Sequence, residues 1–488
     1  MRKKFAANLI FLITANLIVK PFWIFGIDRT VQNRIGPQDY GLYFAVFNYS
    51  LLFNILLDVG LQYFNSRAVS RRPDRIGNFF INILLLKILL AILYTTFTFI
   101  SATAAGFSEL QLRLLLLLIL NQILLSFILY FRSNLTALQR FKTDAVISVS
   151  DRLLAIIFCG MLLWYYAPSG HFEIVWFVYA QTLALGITAV MAGLLSVRHT
   201  RLTVSLWSGR TARRILRATL PFASLVLLMS IYSRTDAVMI ERLHHNGKEE
   251  AGIYAAAFRL LDAANQFGYL FSVILLPLFA ALIKQKSPVR QLVKLSGEWM
   301  LVTSLTLSVA CVLWNREIVL LLYPAASPYW WQVFTPVILS FIPMSSVYIY
   351  GSLLTAGNNL LLLNRIAIGG VVLNILLNYL LIPRYGALAA GWVTLVTQAF
   401  TAFLHLVVAV RVFQLPVNAS HVLRIFSYLV VSTLAGVLIS YIALPWTINL
   451  SLYVFLSITV AFLFKLLPLQ EVRNMATLFH TKYSRSNI

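Results

Sequence analysis

Charge is the first thing this sequence lacks. Only 11% of its 488 residues are charged, against about 25% in an ordinary soluble domain. Acids are the scarcer sign: 16 Asp and Glu stand against 39 Lys and Arg, a formal net charge of +23. Cysteine is almost missing. Cys159 and Cys311 lie in or at the end of apolar runs without a metal-ligand neighbour, which argues against structural disulfides and a zinc site. The phosphate-cradling Gly-x-x-x-x-Gly-Lys-[Ser/Thr] loop is missing, as are His-Glu-x-x-His and any workable catalytic triad. His244-His245 falls in a short loop and reads as solvated. No connection is long enough to house a catalytic domain. The expectation is a protein that is not an enzyme and carries no metal or organic cofactor.

What is present is apolar. Hydrophobic residues make up 60% of the chain, and runs near 20 residues recur from end to end. Each such run can cross a hydrocarbon core of about 30 Å as a helix. The runs are continuous, whereas barrel strands would alternate over about 10 residues. The fold class read here is an all-α polytopic membrane protein with 14 transmembrane helices. The spans fall near 5–27, 41–64, 76–100, 111–130, 144–166, 173–196, 218–241, 251–282, 295–322, 332–355, 366–382, 387–410, 425–443 and 449–467. The first run follows Met1-Arg2-Lys3-Lys4, is longer than a signal-peptide core and shows no cleavage site, so it is expected to be retained.

Lys and Arg fix an orientation. With the N-terminus on the cytoplasmic side, 26 of the 39 fall on inside segments and 7 on outside ones. That bias over short loops follows the positive-inside rule and places both termini in the cytoplasm. It also accounts for the net charge. The basic residues are interrupted by spans, so they form no nucleic-acid face.

The longest connection is the basic stretch 197–217, near the middle. An internal repeat agrees with a division there. Gly36-Pro37-Gln38-Asp39-Tyr40-Gly41-Leu42-Tyr43-Phe44-Ala45 matches Gly247-Lys248-Glu249-Glu250-Ala251-Gly252-Ile253-Tyr254-Ala255-Ala256 at an offset of 211. Ser133-Asn134-Leu135-Thr136-Ala137 matches Ser352-Leu353-Leu354-Thr355-Ala356 at an offset of 219. Equivalent blocks lie six spans apart and share a membrane orientation, which makes the repeat parallel. The expected organisation is an N-terminal lobe over 1–200, a cytoplasmic basic linker over 201–217, a C-terminal lobe over 218–415, and two further helices with a tail over 416–488.

These blocks also carry a resemblance. Ile35-Gly36-Pro37-Gln38-Asp39-Tyr40-Gly41-Leu42-Tyr43, Asp58-Val59-Gly60-Leu61 and the Arg132-Ser133-Asn134-Leu135 to Gln139-Arg140-Phe141 loop are the first matches. Arg234-Thr235-Asp236, Gly252-Ile253-Tyr254 and Ile382-Pro383-Arg384-Tyr385-Gly386-Ala387 follow in order. With them the chain resembles the Wzx-type oligosaccharide flippases, the polysaccharide biosynthesis proteins of the multidrug/oligosaccharidyl-lipid/polysaccharide exporter superfamily. The resemblance implies two six-helix lobes forming a V around a central cavity that alternates between inward and outward access. It implies a polyprenyl-pyrophosphate-linked oligosaccharide as substrate, carried from the cytoplasmic to the outer leaflet of a bacterial inner membrane. It also implies coupling to a proton or sodium gradient, and partners among membrane lipids, the polysaccharide polymerase and the chain-length machinery. Spans 3 to 6 depart from that picture by their low charge, which leaves few ligands in the first lobe.

Such a substrate needs cations for its pyrophosphate, hydrogen-bonding groups for its glycan and lipid for its tail. Charges inside spans cost about 2.5–3.5 kcal/mol each on insertion scales, so each calls for a reason. Arg259 and Asp262 share a face of span 8. Arg259 suits bidentate phosphate contact, and Asp262 would orient it or titrate with a coupling ion; a closed structural pair is the alternative. A similar Arg-x-x-acid pair in the eighth helix is implied by the likeness to lipid II flippases. Arg234 and Asp236 are two apart on span 7 and point to different faces, so each needs a partner elsewhere, in substrate, coupling ion or another helix. Lys20 precedes Pro21 in span 1 and either lines the cavity or points to the outer interface of a kinked helix. Asp28, Arg29 and Asp39 lie at the outer ends of spans 1 and 2. Arg29 is a candidate for the anion, and solvated loop charge explains all three equally well. Asp58 in span 2 would bind a coupling cation, or pair with Arg67 or Arg71. Substrate contact is thus assigned to Arg259, Arg234, Lys20 and Arg29, and ion coupling to Asp262, Asp236 and Asp58. Trp23, Trp164, Trp176, Trp314, Trp330, Trp331 and Trp446 fit an interfacial aromatic belt. Two rival readings remain, a cation-coupled drug antiporter of the same superfamily and a non-transporting scaffold of envelope polysaccharide assembly. An antiporter cavity for cationic drugs should be dominated by acids, and here cations are at least as numerous.

Overall fold

The computed structural model describes residues 18–61, 65, 76–166, 172–198, 200, 209–416 and 418–467, and among these the regular structure is helical without a strand. Eleven helices of the described residues are long and apolar enough to cross a membrane. They cover expected spans 3 to 14, because one of them, Leu360–Phe413, runs through two expected spans and breaks at Gly386. Most of span 1 lies outside the described residues, as do Arg67 and Arg71.

The first half is built from a π-helical turn Trp23–Asp28, α1 (Arg29–Leu52), α2 (Ile76–Ala104), α3 (Glu109–Ala137), α4 (Phe141–Gly160) and α5 (Ile174–Arg198). After these come α6 (Gly209–Leu243) and α7 (Gly247–Lys284). Residues 209–217 of the expected linker are therefore the start of a helix, while 201–208 lie outside the described residues. The later helices are α8 (Arg290–Leu313), α9 (Asn315–Leu322), α10 (Pro328–Leu339), α11 (Phe341–Ala356), α12 (Leu360–Phe413), α13 (Ala419–Ser440) and α14 (Trp446–Leu463).

Two expected spans are interrupted. The helix expected through 64 breaks after Leu52 into a 3-10 turn, Asn54–Leu57. Val59 and Gly60 then take φ of 44° and 80°, outside the helical range, and Leu61 is helical again. The span expected at 295–322 breaks at Trp314, because the Asn315 side chain turns back onto the backbone, accepting from Arg316 N at 2.6 Å. Helix starts are written in the sequence more plainly. Ser108 and Gln111 form a capping box at the head of α3.

By its contacts the chain divides into two compact units, residues 1–255 with 375–387, and residues 256–374 with 388–488. In the first unit α5 packs on α3 and α4, and α1 packs on α3 and α6. In the second, α8 packs on α11, α13 and α14. A buried hydroxyl cluster ties the last two helices on: Thr306 on α8 meets Tyr428 OH of α13 at 2.9 Å and Ser457 of α14 at 2.8 Å. Shared hydroxyls hold helices together where lipid offers no hydrophobic contrast. The outer faces are apolar, with Leu463 75% and Phe455 73% exposed, as contact with lipid requires.

The repeat is visible in the backbone. Gln139 and Asn358, 219 residues apart, both adopt φ of 59° just past the ends of α3 and α11. Each follows the same cap: Arg140 N donates to Leu135 O at 2.8 Å, and Asn359 N donates to Leu354 O at 2.9 Å. The other repeat block packs on itself. Gly41 of α1 faces Lys248 and Gly252 of α7, and Gly252 faces Pro37. At the 211-residue offset Gly41 corresponds to Gly252 and Pro37 to Lys248, so equivalent residues meet around a local two-fold axis. The two backbones lie so close that a Cβ on either glycine would overlap the opposing carbonyl.

Candidate functional site

The early end of α1 creates the site. An unwound helix end inside a membrane leaves carbonyls that must find donors, and such breaks are where repeat-built transporters place their ligands. Here Leu57 O accepts from Lys87 Nζ at 3.1 Å and from Ser126 Oγ at 3.2 Å. Lys87 comes from the middle of α2 and is 1% exposed. It also forms an ion pair with Asp58 at 3.3 Å. A buried ammonium without such a partner would be prohibitively costly, so Lys87 and Asp58 account for each other.

Beside this break lies a cavity of about 340 Å³ within the first unit. Its polar lining comes from Asn54 and Asp58 on the unwound stretch, Gln122 and Ser126 on α3, and Ser230 and Arg234 on α6. Asn54 donates to Gln122 Oε1 at 3.3 Å, and Arg234 donates to Asn48 Oδ1 at 3.4 Å. The cavity thus gathers a guanidinium, a carboxylate already engaged by an ammonium, and neutral amides and hydroxyls. That set can bind an anion through Arg234 and hydrogen-bond a polyhydroxylated molecule through the rest.

Asp236, two residues beyond Arg234, faces elsewhere. It is 2% exposed and accepts from Tyr254 OH at 3.0 Å and Asn378 Nδ2 at 2.6 Å. Those partners come from α7 and α12, so three helices of the first unit meet on one carboxylate. Asp28 is equally hidden, 1% exposed, and accepts from Tyr40 OH at 2.9 Å. Solvated loop charge therefore does not describe it, because the segment after Trp23 is helical and buries it. Arg29 begins α1 half-buried, with its Nε enclosed and without a hydrogen-bond partner among the described residues. Lys20 is half-buried and lies in the electrostatic neighbourhood of Arg152, Asp151 and Arg132. Neither Lys20 nor Arg29 lines the cavity beside Asp58.

Arg259 and Asp262 belong to the second unit and pair with each other at 3.7 Å, 14% and 24% exposed. Of the seven residues singled out from sequence, then, Arg234 and Asp58 share a cavity. Asp236 adjoins it in sequence on another helix face, and Arg259 with Asp262 forms its own pair. Asn54, Gln122, Tyr254, Asn378 and the partner role of Lys87 were not singled out. Their signal was a polar residue inside an apolar run, which does not say what it faces. Among the described residues no group of three His, Cys, Asp or Glu is placed to hold a metal ion.

A repeat-built bundle of membrane-crossing helices, broken around a polar cavity, has the architecture of a membrane transporter. Solved structures agree on the fold. The lipid II flippase MurJ, in an inward closed conformation, superposes with a TM-score of 0.66 at 13% identity, covering 98% of this chain and 100% of that one. An inward-facing multidrug resistance MATE family transporter of the MOP superfamily gives 0.62 at 14% identity, covering 80% of this chain and 94% of that one. A MOP superfamily transporter from Pyrococcus furiosus, described as having a binding pocket of reversed polarity, gives 0.58 at 16% identity, with 83% and 95% covered. At such identities the likeness is one of fold. No curated protein sequence matches. The chain belongs to the polysaccharide biosynthesis protein family, whose model matches residues 5–283.

Proposed function

We propose that this protein is a flippase that moves a polyprenyl-pyrophosphate-linked oligosaccharide from the cytoplasmic to the outer leaflet of a bacterial inner membrane, for surface polysaccharide synthesis. The observation that carries the reading is the cavity beside the unwound end of α1. A membrane-embedded space lined by Arg234, by uncharged amides and hydroxyls, and by a carboxylate, Asp58, that is already paired with Lys87 suits a phosphorylated glycan better than a cationic drug. Arg234 and Arg259 attract the pyrophosphate, aided by Lys20 and by the half-buried Arg29. Asp236, Asp262 and Asp58 couple movement to a proton or sodium ion, since each is a carboxylate within the helical part of the chain that is engaged by a side-chain donor. Family membership supports the pathway, and the basic bias of alternate loops supports cytoplasmic termini.

The test is translocation of a short-chain polyprenyl pyrophosphate oligosaccharide in proteoliposomes, with and without a cation gradient. Gradient-stimulated movement that Arg259→Ala and Arg234→Ala each abolish, with the protein folded, is the expected result. Movement unaffected by both substitutions refutes the assignment of the anion site. Absence of movement with several glycans refutes the flippase reading itself.

A further inference from the structure

A second polar cavity, of about 370 Å³, lies wholly within the second unit and is unrelated to the residues invoked above. It falls inside the range of about 300–1,000 Å³ typical of small-ligand sites. Four helices wall it: the start of α8, the middle of α11, the end of α12 and the start of α13. The three helix ends among them lie on the side of the membrane where the basic residues concentrate.

Its lining is sorted by chemistry. The cations are Arg290 and Lys294 on α8 and Arg424 on α13. All three side chains are exposed, and neither arginine is ion-paired among the described residues. The floor is Glu298, 3% exposed and held at 3.5 Å by His421. The three exposed cations outnumber this one buried carboxylate, so the rim is cationic. The remaining walls are mostly apolar, with Val293, Leu301, Ile349, Leu406, Val422 and Ile425 among them beside Ser345 and Ser346. The first turns of α8 and α13 also open here. The helix dipole adds positive potential there, although in α13 Asn418 already accepts from Ser420 N, His421 N and Val422 N.

We infer that this cavity is a binding site for an anionic phospholipid, with the phosphate held by Arg290, Lys294 and Arg424 and an acyl chain lying along the apolar wall. Three facts point to a lipid and not to a soluble anion. The site stands at the end of membrane-crossing helices, its wall is mostly apolar, and basic pockets between such helices match anionic headgroups. The lipid would bridge α8 and α13, and so fasten the last two helices to the rest of the second unit.

Native mass spectrometry of the detergent-solubilised protein tests this, with phosphatidylglycerol, phosphatidylcholine and inorganic phosphate as probes. Phosphatidylglycerol should be retained in preference to phosphatidylcholine. Arg290→Gln and Arg424→Gln should each weaken retention about fivefold, while Arg290→Lys and Arg424→Lys keep most of it. Arg365→Gln removes an exposed cation outside the pocket and should leave retention unchanged. Equal losses from Arg365→Gln would mean diffuse surface charge and overturn the site. Inorganic phosphate displacing the lipid at equal concentration would overturn the choice of lipid over free anion. The Lys variants keep the test valid if a Gln variant fails to fold.

Discussion

Replacing Gly41 or Gly252 by alanine probes the repeat's closest contact. A Cβ on Gly41 would stand 2.5 Å from Gly252 N as well as against the Lys248 carbonyl. One on Gly252 would stand 2.6 Å from Pro37 C and 2.8 Å from Pro37 Cα. Carbon contacts are optimal at about 3.5–4.0 Å, so the helices must part by about 1 Å. The obstacle is backbone, which cannot rotate aside as a side chain can. Overpacking of this kind costs about 1–3 kcal/mol, a factor of roughly 5–150 in the equilibrium between the crossed and parted arrangements. Alanine is otherwise the better helix former by up to about 1 kcal/mol, which sets the sign of the control. Gly186 in α5 has open space where its Cβ would be, and Gly186→Ala should be neutral or stabilising. Thermal melting in detergent should show Gly41→Ala and Gly252→Ala lowered and Gly186→Ala not. The double variant should cost less than the sum of the two, since the first alanine already forces the parting the second needs. If all three variants melt alike, or the two losses add fully, the crossing is not the close backbone contact described.

Lys87→Met should destabilise the protein by about 3 kcal/mol, because Asp58 loses its ammonium and the Leu57 carbonyl keeps only Ser126 as donor; Lys87→Met with Asp58→Leu should recover most of the melting temperature while leaving translocation lost. Asp236→Asn should cost about 1–3 kcal/mol, since an amide cannot accept from both Tyr254 and Asn378 as the carboxylate does. In proteoliposomes it should abolish stimulation by a cation gradient while sparing slow downhill movement, and intact stimulation would remove Asp236 from the coupling group. Arg259→Lys should retain partial export where Arg259→Ala retains none, because the point charge keeps the attraction but not the forked contact. Equal export by the two would reduce the Arg259–Asp262 pair to packing.

The fold was legible where a single physical quantity decides it. Run length against membrane thickness gives most helices, and the repeat blocks give their pairing, down to the shared caps at Gln139 and Asn358. The misplacements have one cause. Apolar composition persists past Leu52 and past Leu313, so hydropathy carries a span onward, but helix continuity depends on where backbone carbonyls find donors. Asn54, Asp58 and Gly60 in one stretch, and Asn315 after Trp314, were the signs that the ladder would be broken.

The site was legible only by halves, because sequence marks that a charge is costly without naming its partner. Lys87 shows why. Its burial is tolerable only through the fold's early break in α1, which brings Asp58 and the Leu57 carbonyl to it. Arg234 and Asp236 could be separated by helix periodicity alone, but which face was the cavity required α3 and the unwound stretch to be in place. The low charge of the first lobe, a departure from the family resemblance, then acquires a physical account. Asn54, Gln122 and Ser126 hydrate a cavity inside the membrane without demanding counter-charges of their own. On the proposed reading, that leaves the field of Arg234 directed at the substrate's phosphates and the neutral groups at its sugars, a division of labour that a more heavily charged lobe would lose to internal salt bridges.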